Sequence, residues 1–318
     1  MAIAVVLPAR APATGQARTA TADRSTPHRT PWGDPDLQGI WDYRTFTPFE
    51  RPDELAGKAF FATEEEAAEF EQQTAQRRDN DPFTVQDRTI FYDRGTRLTE
   101  GRRTSLLVDP RDGRLPPLTP KARERRSAML AAGDHGPEDR TLYERCIVAI
   151  TNGAPLVPAV VYFNHNVQLF QTPEYVVLLN EMIHDARIVP LDRRPHVGAH
   201  IRLWMGDSRG RWEGNTLVVD TTNFNDTGWG FSRRGGSETH LVEHFTRVDA
   251  NTLLYEFTVD DPATWTTPWS VAVHMTKTKG PIFEYACHEG NYRAMVVGSQ
   301  QDGTLDSQNL SPLSCSLV

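Results

Sequence analysis

Between Tyr162 and Tyr292 the chain reads as a run of short strand-forming segments separated by tight turns. This run constrains the fold more than any other feature. Val167–Gln171 and Tyr175–Asn180 form a hairpin, and Ala186–Leu191 follows. Ile201–Met205 and Gly210–Glu213 flank a tight turn. Thr216–Phe224, Leu241–Val248, Thr252–Val259, Trp269–Met275 and Ile282–Cys287 complete the set. Strands joined this closely predict an antiparallel meander that curls into a barrel. No repeat of fixed period is visible, which argues against a propeller.

The N-terminal half is different. Residues 1–31 begin with an apolar run, Ala2–Leu7, followed by small residues and prolines, and read as a leader or disordered segment. Gly39-Ile-Trp41 opens the folded part, as a Gly-x-Trp does in many lipocalin-like barrels. Thr63 caps a predicted helix with three glutamates in its first turn. Thr119 and Pro120 start a second helix that ends near Ala132, before Gly133. Arg103–Asp109 between them reads as a strand. The predicted organisation is one domain over 32–318, a lipocalin-like antiparallel β-barrel with an α-helical elaboration at about 52–145.

A net charge of −8 and the lack of a basic run argue against a nucleic-acid partner. No apolar stretch approaches the roughly 20 residues of a membrane span. Of the three cysteines, Cys146 and Cys287 are placed to tie the helical half to the barrel in an exported protein, leaving Cys315 near the end. Three separate thiols fit the sequence equally.

Two motifs resemble catalytic signatures in the wrong context. Gly206-Asp-Ser-Arg-Gly210 has the nucleophile-elbow pattern but is flanked by strand on both sides, so a β-turn accounts for it. His240-Leu-Val-Glu-His244 has the inverted zinc-protease pattern but sits in a strand, where residues four apart lie roughly 13 Å apart. Two other groups carry more chemistry. Glu181, His184, Asp185 and Arg187 cluster at a strand-to-strand corner, and His288 and Glu289 follow another strand end. A His beside a carboxylate suits general acid–base catalysis, and Arg187 suits polarising a substrate oxygen. Asn164 and Asn166 suit hydrogen bonds to a polar ligand, with Asn223 as a further orienting amide. Trp204, Tyr255 and Trp269 supply apolar wall, or fill the barrel.

The segments Asp34–Trp41, Glu181–Arg187, Gly206–Gly214, Asp220–Phe224 and Tyr285–Asn291 resemble a family of secreted bacterial proteins abundant in soil and marine species. The resemblance spans about residues 34–292. It implies export and one shared architecture, and it carries no catalytic role. The family pattern has Arg more often than His at position 244, which weakens a zinc role for His244.

The expected function is a cofactor-independent acid–base enzyme (lyase, isomerase or hydratase) acting on a small organic molecule in the periplasm. Its expected catalytic residues are His184, His288, Glu181, Asp185 and Glu289, with no metal and no nucleotide loop. A non-catalytic binder of an aromatic, lipid or sugar ligand is the alternative. A serine or metal hydrolase is the third.

Overall fold

The computed structural model describes residues 28–80, 97–132, 142–143, 145–148, 153–156, 164–225 and 236–289. The leader up to residue 27, Gly133, Asn291 and Cys315 lie outside these residues. Alternation dictates the sheet. Tyr175–Asn180 buries Val176, Leu178 and Asn180 and turns the residues between them outward. His240–Arg247 buries Leu241, Glu243 and Phe245 in the same way. Ten antiparallel strands form one sheet: β1 Gly39–Asp42, β2 Leu107–Asp109, β3 Asn166–Gln171, β4 Tyr175–Asn180, β5 Ala186–Pro190, β6 Asp207–Glu213, β7 Thr216–Thr222, β8 His240–Arg247, β9 Thr252–Asp260 and β10 Trp269–Thr278.

The strand order is β5-β4-β3-β1-β10-β9-β8-β7-β6, with β2 also paired to β10. No ladder joins the edge strands β5 and β6 among the described residues. The two edges nevertheless touch. A Cβ added at Gly210 of β6 would lie 2.8 Å from Val189 and 2.7 Å from Leu191 of the β5 edge. Glycine is what permits that approach. The inward faces enclose one core that includes Trp41, Leu169, Leu178, Val219, Phe245, Tyr255, Phe257 and Trp269.

Among the described residues two α-helices lie in the N-terminal half. α1 spans Glu64–Asn80 and α2 spans Pro120–Ala132. Their caps are those read from the sequence: Thr63 Oγ1 accepts the Glu66 N–H at 3.2 Å, and Thr119 Oγ1 accepts the Ala122 N–H at 3.1 Å. Cys146 and Cys287 form a disulfide, so the segment after α2 is covalently tied to the chain beyond β10.

Four elements differ from expectation. Ile201–Met205 is not a strand; only Leu203 bridges to Phe224. The turn expected at Gly206–Gly210 is instead the start of β6, because Gly206 takes the left-handed bend (φ 69°) and Asp207 begins pairing with Thr222. Ile282–Cys287 pairs with no strand; the Phe283 N–H bonds the Glu181 side chain instead, and Cys287 begins a turn. The strand expected at Arg103–Asp109 shortens to Leu107–Asp109, and Arg103 is left bridging Phe60.

Candidate functional site

The β4–β5 connection makes an abrupt corner. Ile183 (φ 62°) and His184 (φ 46°) are successive left-handed residues, an arrangement costly for any side chain and most so for a β-branched one. Surrounding contacts impose it. The buried Glu181 accepts the Phe283 N–H through Oε1 at 3.0 Å and the Asn166 amide through Oε2 at 2.8 Å. Met182 and Ile183 are buried against Tyr143, Tyr285 and Cys287. The disulfide holds Cys287 in place, and the Tyr143 and Tyr285 hydroxyls meet at 2.9 Å. His184 Nδ1 lies 3.2 Å from the Tyr285 carbonyl, which can only accept, so Nδ1 carries a proton, and in the neutral ring it is Nε2 that has the lone pair. The His184 side chain itself is exposed.

Just inside this corner the interior turns polar. Asn180 N–H bonds the Asp185 carbonyl at 2.9 Å, which continues the β4–β5 register and puts Asp185 opposite Asn180. Arg187, two residues on, points inward with Val189. Its guanidinium reaches across to Glu243 of β8 with two bonds, 2.7 and 2.9 Å. The Tyr255 hydroxyl donates to Glu243 Oε1 at 2.7 Å and accepts the Leu156 N–H at 2.9 Å. All three side chains are buried. Burial opposes the charge on Arg187, and the Glu243 carboxylate more than restores it. Burial, then Glu243, push the Tyr255 hydroxyl well above its ordinary range, so it remains a donor. Asp185 is pushed above the ordinary aspartate value by burial, against the pull of the Ala186 N–H, Arg187 and His184. Two buried atoms here, Arg187 Nε and Asn180 Oδ1, have no hydrogen-bond partner among the described residues.

Of the residues expected from sequence, Glu181, His184, Asp185 and Asn166 therefore meet at the β4–β5 corner, and Arg187 and Tyr255 meet at Glu243 in the interior. Glu181 bonds Asn166 and the backbone instead of His184. His288 and Glu289 lie on the tail that packs against the corner; both are exposed, and neither side chain bonds a described residue. Asn164 takes a left-handed backbone (φ 55°) just before β3. Asn223 is pinned elsewhere, its amide donating to Val197, Gly198 and Ile201 carbonyls at 3.2, 3.1 and 3.0 Å. Trp204 is half-buried in the β5–β6 loop. Trp269 is core filling, edge-on to Phe49, Phe257 and Trp265.

The two catalytic look-alikes dissolve. Ser208 is buried within β6 and bonds Thr221 Oγ1 at 2.9 Å. His240 and His244 point outward on β8 while Glu243 points inward. Among the described residues no three His, Cys, Asp or Glu side chains are arranged to hold a metal ion, and no helix is long and apolar enough to cross a membrane. Sequence reasoning missed Glu243 as a site residue. The signal was present: it occupies an inward slot between Leu241 and Phe245, where an unpaired charge is not tolerated.

The chain matches no known family model, and no curated protein is significantly similar to it.

Proposed function

We propose that the protein is a cofactor-independent acid–base enzyme acting on a small organic molecule at the polar end of the sheet's interior. The observation that carries this reading is the adjacency of two groups at one strained corner: His184, whose Nδ1–H is fixed on the Tyr285 carbonyl so that Nε2 is the nitrogen left to exchange a proton, and Asp185, held toward its protonated form. His184 would act as base and Asp185 as acid, with Arg187, Glu243 and Tyr255 as the fixed polar wall behind them. His288 and Glu289, on the tail clamped beside the corner, would complete the rim. A lipocalin-like barrel is the architecture we propose around this site; the approach of β6 to β5 at Gly210 supports it. The Cys146–Cys287 bond supports a periplasmic or secreted location, where disulfides persist.

The test is solvent exchange. A panel of small hydroxy, keto and enone compounds is incubated with the full chain in D2O, and deuterium at carbon is followed by NMR. The reading expects exchange in at least one compound, reduced roughly 10²–10⁴-fold in His184→Ala and in Asp185→Asn with the fold intact. Exchange in no compound, or exchange unchanged in both variants, contradicts it.

The non-catalytic alternative has one observation in its favour. The Arg187 Nε donor and Asn180 Oδ1 acceptor, unpartnered among the described residues, suit a bound polar group without any proton transfer. Saturable binding of a panel member without exchange would favour it.

A further inference from the structure

A second ionic cluster lies on the opposite, outward face of the sheet. Asp207 of β6, Asp220 of β7 and His240 of β8 project outward, and His196 from the β5–β6 loop enters between the two aspartates. His196 Nδ1 is 2.9 Å from Asp207 Oδ2, and Nε2 is 2.9 Å from Asp220 Oδ1. Ionised carboxylates only accept, and a neutral imidazole has a single N–H. Both bonds therefore coexist with two ionised aspartates only when His196 carries both ring protons. Both aspartates are also held by further donors. Asp220 Oδ2 also takes His240 Nε2 at 2.8 Å, and Asp260 of β9 lies within electrostatic reach of His240. Asp207 is fixed by Arg209 Nη1 at 2.7 Å and by the Val197 N–H at 3.1 Å. Charges alternate along the row Arg209, Asp207, His196, Asp220, His240.

We propose that His196 is a protonation-dependent clamp that docks the first half of the β5–β6 loop, residues 192–197, onto the outward face of the sheet. Around His196 the loop also has pH-independent anchors: Arg209 Nε holds the Pro195 carbonyl at 3.1 Å, and Asn223 holds the part from Val197 on. Asn223 holds the Val197, Gly198 and Ile201 carbonyls, and the Leu203 N–H bonds the Asn223 carbonyl at 2.9 Å. Loss of one His196 proton removes one of its two bonds and leaves a lone pair facing a carboxylate. Loosening is then confined to the stretch between the Pro195 and Val197 carbonyl anchors, where the Val197 N–H meets Asp207. The clamp is independent of the acid–base reading of the interior site, which shares none of these residues.

The test uses the full-length protein and two NMR readouts. Long-range proton–nitrogen correlation spectra across pH report the protons on each ring nitrogen of His196. Amide exchange of Val197, taken as a ratio to Leu203, reports docking and cancels the intrinsic pH dependence. The expected result is His196 protonated on both nitrogens at mildly acidic pH. Its deprotonation should coincide with a roughly tenfold rise in the Val197-to-Leu203 ratio, the effect of one partly exposed charge-assisted bond. His196→Phe should show the raised ratio at every pH, and His240→Gln should leave the transition in place. A singly protonated His196 throughout, or a flat ratio in the wild type, overturns the proposal. The wild-type titration decides the matter even if a variant does not fold.

Discussion

Arg187 and Glu243 face each other across the interior as a two-pronged, fully buried ion pair, with bonds of 2.7 and 2.9 Å between β5 and β8. The pair belongs to strands that do not neighbour each other in the sheet. It therefore fixes how far the two ends of the sheet curl toward each other, as no backbone ladder does between them.

Removing one partner strands a charge in the core. Glu243→Gln and Arg187→Met should each destabilise by about 3–5 kcal/mol. Combining the two changes should cost less than the sum of the single changes, because no charge is left unpaired. Urea denaturation of the two single variants and the double variant measures this. Additive losses would mean that the two groups do not act as a pair.

The strained corner carries a separate expectation. His184 is exposed and left-handed, a conformation that glycine adopts freely. His184→Gly should hold stability or raise it by up to about 1 kcal/mol, while His184→Val should lower it. On the proposed function, both variants lose turnover. A glycine variant markedly less stable than wild type would show that the Tyr285 bond outweighs the backbone strain.

The disulfide spans 141 residues of sequence. Constraint of so long a loop is worth about 5 kcal/mol in chain entropy, and measured values often fall below that. Digestion of the oxidised protein should yield one peptide joined through Cys146 and Cys287. Reduction should lower Tm and loosen the 181–184 corner against the tail. An unchanged Tm would show that packing alone holds the tail.

The outward cluster predicts a pH window for stability. Hydrogen bonding to His240 lowers the Asp220 pKa, and the same bond raises that of His240. The Asp220 contribution is present above its unfolded value and is lost as pH falls through the lowered folded value. The His240 contribution is present below its unfolded value and is lost as pH rises through the raised folded value. Both act together between the ordinary carboxylate and imidazole ranges. Both groups are partly exposed, so the gain is about 1 kcal/mol or less. The Tm difference between wild type and Asp220→Asn should peak in that window. A difference that does not change with pH contradicts the assignment.

Much of the sheet is legible in the chain. The alternation in Tyr175–Asn180 and Leu241–Arg247 specifies which residues turn inward, and the Thr63 and Thr119 caps mark the two helix starts. The corner at Glu181–Arg187 is legible too, because charges crowd between two apolar runs. The partners are less so. Arg187 and Glu243 are 56 residues apart, and His196 is 24 from Asp220. Which charges meet depends on how far the sheet curls and on the path of the β5–β6 loop. Local pattern encodes neither. Ile282–Cys287 misleads for a related reason: its composition suits a strand, but it is held by side-chain and disulfide contacts to the 181–184 corner instead of a ladder.

The account rests on a buried corner that holds the Asp185 proton more tightly than water does. Carboxyl-carbon NMR of the labelled full chain, with Asp185→Asn to assign the signal, measures that directly. The account predicts a titration midpoint above the ordinary aspartate value, rising further in Arg187→Met as the nearby positive charge is removed. A midpoint at or below the ordinary value would contradict it.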